Sequence, residues 1–126
     1  MKKFTFTKKF ELTEQDIIDL IDTAIEGGIG YWCCLDNSTA EWDKIREEYP
    51  DACIDERLYR ILEKGESVIL IDEEEDVDHK LTMQGLINGI QIAISKGYWD
   101  GDIDSSDAES GDAVFQCAIF GDLIYG

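Results

Sequence analysis

The sequence predicts a single α+β domain, residues 1 to 126, in which helices pack on one mainly antiparallel sheet of about four to five strands. Three observations predict it. Strand-like and helix-period apolar segments follow one another with no linker and no internal repeat between them. The aliphatic run Val68, Ile69, Leu70 and Ile71 is followed, across an acidic block, by a second short run that reads as the return strand of a hairpin. With 126 residues and a 44% hydrophobic fraction, the chain supplies one core of ordinary size and not two.

Taken in order, Phe4, Phe6, Phe10 and Leu12 lie two or four apart and predict a strand over about residues 3 to 12. Thr13 before Glu14, Gln15 and Asp16 is a helix N-cap followed by acids in the first turn. Ile17, Ile18, Leu20, Ile21, Ala24 and Ile25 then repeat at helical spacing, and Gly27 with Gly28 is expected to stop that helix by a left-handed cap. Residues 29 to 35 read as a strand. After Asp36, Asn37 and Ser38 a short helix is expected over 39 to 48, closed by Pro50. A helix over 54 to 64 carries Leu58, Ile61 and Leu62 on one face and ends at Gly65. The run from Val68 reads as a central strand, Asp72 to Asp76 as a turn, and Val77, His79 and Leu81 as the return strand. Thr82 caps a helix bearing Leu86, Ile87, Ile90, Ile92, Ala93 and Ile94 up to Gly97. Asp107 caps another through Val114, Phe115, Cys117, Ala118 and Phe120, with Gly121 as its stop and Leu123, Ile124 and Tyr125 as a last strand.

Charge is the outlying property. There are 29 Asp and Glu against 11 Lys and Arg, a formal net charge of −18, and the isoelectric point is near 4.1. Such a balance invites disorder, yet three Trp, five Tyr, five Phe and a single Pro argue for a packed core, so the acidity belongs on a folded surface. It is also unevenly spread. Lys2, Lys3, Lys8 and Lys9 hold four of the basic charges, and from residue 97 onward there are seven acids and no Lys or Arg. An acidic field repels phosphate backbones and draws in basic surfaces, so direct nucleic-acid binding is disfavoured.

No apolar run reaches signal-peptide length or the roughly 20 residues of a membrane span, so a non-exported protein of the cytoplasm is expected. Cys33, Cys34, Cys53 and Cys117 lack the tight spacing of a stapled domain and are expected as reduced, buried thiols. With one His and no C-x-x-C pair, a zinc site is discarded.

Other motifs fare similarly. Gly28, Gly30 and Cys33 fall where a phosphate loop places its glycines, but the third position is Cys and a strand follows, so a structural role is expected. Tyr31 and Trp32 are adjacent, and one of the two should point inward. Asp100, Asp102 and Asp104 begin like a calcium loop, but Ser105 stands where the sharp turn wants Gly and Gly111 where the bidentate Glu belongs, so no specific metal is expected. His79 follows the acids Asp76 and Asp78, as a solvated hairpin residue would, and nothing sets a nucleophile beside it. No catalytic residue and no cofactor are assigned. A working carboxylate pair stays open, because 29 acids offer many pairs and a sequence offers no distances.

The strings AIEGGIGYW, residues 24 to 32, and DAVFQCAIFGDLIYG, residues 112 to 126, resemble a family of small proteins encoded by phages and integrative elements of Gram-positive bacteria. A glycine pair leading to aromatics is matched by Gly27, Gly28, Tyr31 and Trp32. A Q-x-A-x-F-G segment with a glycine-ended apolar terminus is matched by Gln116, Ala118, Phe120, Gly121 and Gly126. The resemblance implies a mobile-element origin in a bacterial host and no particular activity.

Joined to the acidity, it leads to an expected function: an inhibitor of a host defence nuclease, of the anti-CRISPR or anti-restriction type. Such an inhibitor binds a basic, nucleic-acid-binding surface, in the manner of a DNA or RNA mimic. The residues expected to meet that surface are Asp72, Glu73, Glu74, Glu75, Asp76 and Asp78 on the hairpin, with Asp100, Asp102 and Asp104. Two alternatives stand beside it. One is a small-molecule sponge with a pocket walled by Tyr31 and Trp32, which a Lys or Arg inside the pocket would favour. The other is a structural or regulatory accessory of the mobile element; a homodimer is open for it.

Overall fold

The computed structural model describes residues 1–6 and 9–126. The regular elements are α1 (Glu14–Thr23), a π-helical turn (Ala24–Gly28), β1 (Cys33–Asp36), α2 (Ala40–Glu48) and α3 (Ile54–Glu63). They continue with β2 (Val68–Asp72), β3 (Val77–Leu81), α4 (Met83–Ser95), a 3-10 turn (Ile103–Ser105) and α5 (Ala108–Phe120). The fold is α+β, with five α-helices around a three-stranded antiparallel sheet of order β1-β2-β3 among the described residues. Cys33 pairs with Asp72 and Leu35 with Leu70, while Val68 pairs with Leu81 and Leu70 with His79. No described helix is long and apolar enough to cross a membrane.

The helix boundaries obey the local chemistry. Thr13 accepts a hydrogen bond from the Asp16 amide while the Asp16 carboxylate accepts one from the Thr13 amide, and Asp107 and Ser110 repeat the same reciprocal cap at α5. Thr82 caps α4 through the Gly85 amide. Gly65, Gly97 and Gly121 follow α3, α4 and α5 with φ of 83°, 78° and 77°, a region an L side chain enters at a cost.

Two of the expected strands are absent. Residues 1–6 and 9–13 form no strand, and Thr7 and Lys8 of that span lie outside the described residues. A strand exists only by pairing, and the three-stranded sheet takes no partner from this segment; Phe4 and Phe6 are exposed while Phe10 and Leu12 turn to the helices. Leu123 to Tyr125 are likewise irregular, because side chains supply the acceptors that a neighbouring strand would have offered, Asp122 for the Leu123 amide and Gln116 for those of Ile124 and Tyr125. The strand expected over 29 to 35 is confined to Cys33–Asp36.

The glycine pair also acts differently from expectation. Neither Gly27 nor Gly28 adopts a left-handed conformation. The helix widens instead into the π turn, closed by the Ile29 amide on the Ala24 carbonyl at 2.9 Å. A Cβ on Gly28 would lie 2.7 Å from the Ala108 carbonyl oxygen, and one on Gly111 2.6 Å from the Ala24 nitrogen. Glycine is needed here for approach, since the start of α5 rests on the π turn backbone to backbone. Cysteine burial divides as well: Cys33 and Cys117 are buried, but Cys34 and Cys53 are exposed, Cys34 because neighbouring strand residues face opposite sides; all four thiols are free.

The core holds Trp32, Trp42, Phe115, Leu20, Ile21, Leu58, Ile61, Leu62, Leu70 and Leu86, all essentially without exposure. Helix α5 is its axis. It packs on α4, the π turn, α1 and β3, which is why Ala113 through Cys117 are buried in unbroken succession. The α4 crossing depends on Gly89, where an added Cβ would meet the Val114 carbonyl at 2.6 Å and the Ala118 nitrogen at 2.7 Å.

Gly89→Ala is therefore expected to destabilise the fold by about 1–3 kcal/mol in urea unfolding, overpacking outweighing alanine's helix preference. Gly30→Ala, where a Cβ meets nothing within 4 Å, is expected to stay within about 0.5 kcal/mol of the parent. Equal stability of the two variants would contradict this account of α5 packing.

Candidate functional site

The hairpin between β2 and β3 separates its acids by role. Val68, Leu70 and Asp72 are the inward residues of β2, and Asp72 is 1% exposed. Its Oδ1 accepts from the amides of Glu74 and Glu75 at 2.9 and 3.2 Å, and its Oδ2 accepts from the Tyr125 hydroxyl at 2.7 Å. Burial pushes this carboxyl up, but the Tyr125 and backbone hydrogen bonds outweigh it and hold Asp72 below the ordinary carboxylate value. The Glu73 amide donates to the Trp32 carbonyl at 2.8 Å. With the turn amides of Glu73, Glu74 and Glu75 directed inward, the side chains of Glu73, Glu74, Glu75, Asp76 and Asp78 are left exposed.

Asp76 has a φ of 54°, which an Asp tolerates better than most residues. The ion pairs of the described residues use Lys9, Arg46, Arg60, Lys64 and Lys96, and none reaches these five carboxylates. Five acids thus stand together with no ion-pair partner among the described residues. Asp72, expected among the partner-facing residues, is instead the buried anchor beneath them.

What anchors Asp72 in turn is a polar network at the C-terminal end. Asp112 on α5 accepts from the Trp32 indole at 2.8 Å and the Gln116 amide at 2.9 Å through Oδ1, and from the Tyr31 hydroxyl at 2.6 Å through Oδ2. Gln116, wholly buried, accepts from the amides of Ile124 and Tyr125 at 2.8 and 2.9 Å. This seats Tyr125 against Trp32, with ring centres 5.5 Å apart and nearly stacked, and leads its hydroxyl to Asp72. Phe120 closes the cluster, meeting Trp32, Tyr125 and, edge-on at 5.2 Å, His79. Trp32 is the inward member of the aromatic pair and Tyr31 the exposed one.

The second set of acids lies elsewhere. Asp100 accepts from the Asp102 amide and the Ser105 hydroxyl, and Asp102 from the Asp104 amide, so the alternation at 100, 102 and 104 builds successive Asx turns. Among the described residues no group of three His, Cys, Asp or Glu is arranged to hold a metal ion. The 3-10 turn that carries Asp104 packs against α1, whereas the hairpin pairs with β1 and meets the C-terminal segment. Among the described residues no hydrogen bond or ion pair joins Asp102 or Asp104 to the hairpin acids.

Tyr31 does line a cavity of about 440 Å³, with Gly27, Gly28, Ala108, Glu109, Asp112 and Tyr125 among its walls. Among the described residues its walls hold no Lys or Arg, and its two carboxylates repel phosphate. Comparisons with protein-family models, with curated proteins and with solved structures find no match to this chain.

Asp112, Gln116 and Tyr125 carry a structural role that their residue types do not advertise. The sequence marks the two segments only as separate motifs, residues 24 to 32 and 112 to 126; that they meet is seen in the hydrogen bonds that Tyr31 and Trp32 donate to Asp112 and that Tyr31 accepts from Gln116.

The network also sets an alkaline limit. Tyr31 is pushed up to about 12 by burial and by its hydrogen bond to Asp112, and Tyr125 to about 12 by its bond to Asp72 and by burial, both from 10.0. Phenols held neutral in the fold add stability that is complete below pH 10 and lost as pH rises towards 12. The wild type is expected to lose stability more steeply across that interval than Tyr31→Phe/Tyr125→Phe, measured by urea unfolding at stepped pH. Parallel pH profiles would contradict the assignment.

Proposed function

We propose that the protein is a binding protein whose hairpin tip engages the basic, nucleic-acid-binding surface of a host protein. On its resemblance to proteins of phages and integrative elements, the target is a defence nuclease of the CRISPR or restriction type. The reading rests on one observation: Glu73, Glu74, Glu75, Asp76 and Asp78 are exposed together and form no ion pair among the described residues.

Physical chemistry supports the reading in three ways. B-DNA presents about one negative charge per 1.7 Å of axis, and a target built for that density meets several carboxylates on one turn as a partial substitute. The turn is also preorganised, because Asp72 and the Trp32 carbonyl already hold its backbone, so little ordering cost is left for binding. A net charge of −18 adds steering towards a basic cleft. Asp104, exposed on the other acidic loop, contributes to that long-range field and not to the same contact.

The test is competition with nucleic acid for candidate nucleases, comparing the wild type with Glu73→Gln/Glu74→Gln/Glu75→Gln/Asp76→Asn/Asp78→Asn. Asn keeps the left-handed position open at 76, so the turn survives. The variant is expected to compete at least about tenfold more weakly and with a shallower salt dependence, since rim charges act mainly on association. Asp104→Asn is expected to change little. Undiminished competition by the five-site variant would overturn the electrostatic reading.

A further inference from the structure

A groove of about 610 Å³ lies between the N-terminal segment, α1 and α4, walled by Phe10, Leu12, Ile17, Ile87, Ile90 and Ile94. Ile87 in this wall is exposed. The groove is bordered by the acidic loop: a Cβ on Gly101 would lie 2.6 Å from the Phe10 ring and 3.3 Å from Ile94. Asp102 and Asp104 on that loop are exposed and form no ion pair among the described residues. Directly before Phe10 runs a segment of the opposite character. Phe4 and Phe6 are 78% and 88% exposed, and Lys2 and Lys3 form no described ion pair.

We propose that the protein pairs with a second copy of itself by arm exchange. Each copy seats Phe4 and Phe6 in the other's groove, with Lys2 and Lys3 facing Asp102 and Asp104. Complementarity identifies the occupant. An apolar groove with an acidic border suits an apolar arm with basic residues, and this chain, otherwise so acidic that two copies repel, carries such an arm beside the groove. Reach allows it, since six Cα–Cα steps, the separation of Phe4 from Phe10 in the sequence, span at most roughly 20 Å. Because Phe10 already lines its own groove, two grooves facing across a two-fold axis receive each other's arms by a short crossing.

Four Phe rings burying about 150–250 Å² each fall short of a large obligate interface, so the dimer is weak and dissociates on dilution. The hairpin tip takes no part, and the pairing stands or falls independently of the nuclease reading.

The experiment is sedimentation velocity of the full chain over a concentration series, at low and high salt, for the wild type, Phe4→Ser/Phe6→Ser and Ile87→Lys. The wild type is expected to show a monomer–dimer equilibrium that weakens with salt, and each variant to raise the dissociation constant by about tenfold or more. Both variants change exposed positions, and circular dichroism confirms that they fold. A mixture of the two variants decides the arrangement, because it pairs an intact arm with an intact groove and is expected to form heterodimer more readily than either variant self-associates. A wild type monomeric throughout, as when the arm folds into its own groove or the groove awaits a foreign helix, would overturn the proposal. So would a dimer indifferent to both variants, or a mixture without complementation.

Discussion

The side-chain amide of Gln116 is the interaction on which the rest of this structure depends. A buried primary amide must satisfy its donors and acceptor or forfeit their hydration, and Gln116 does so with Asp112 on its own helix and with the amides of Ile124 and Tyr125 beyond the helix end. Everything distal follows. Tyr125 is brought to Trp32 and to Asp72, Asp72 folds the hairpin turn over itself, and the Trp32 carbonyl receives the Glu73 amide. For α5 to stand where Asp112 reaches the Trp32 indole, its first turn must approach the π turn more closely than any side chain permits. Gly28 and Gly111 allow that approach.

The acidity of the chain is therefore two properties under one sign. Many of its aspartates are backbone caps: Asp16 receives the Thr13 amide, Asp36 that of Ser38, Asp107 that of Ser110 and Asp122 that of Leu123, as Asp72, Asp100 and Asp102 receive amides near them. These carboxylates shape loops and helix starts whatever the protein binds. The glutamates of the hairpin have no such duty. That contrast, more than the net charge, directs attention to the tip and away from the loop at 100 to 104.

Much of this was legible where it is local. Thr13, Thr82 and Asp107 as caps, Gly65, Gly97 and Gly121 as stops, and the hairpin around Val68 to Leu81 need only neighbouring residues, and the structure has them there. The number of strands was not, because alternation in Phe4, Phe6 and Phe10 says which residues share a face and not whether a neighbouring strand exists. Gly28 illustrates the same limit: its presence at a helix end was plain, but its reason lies in Ala108, eighty positions away. Asp72 was readable in part. The block from 72 to 76 looks uniformly acidic, yet Val68, Leu70 and Asp72 keep the period of two that marks the inward face of β2.

The most direct measurement of the central claim is amide hydrogen exchange in the wild type and in Gln116→Leu. If Gln116 secures the hairpin through Tyr125, the variant loses protection at Ile124 and Tyr125 and also at Glu73, Glu74 and Glu75, while the amides of α3 keep theirs. Loss confined to Ile124 and Tyr125, with the turn amides fully protected, would show that the tip is held without the C-terminal segment and would contradict the account.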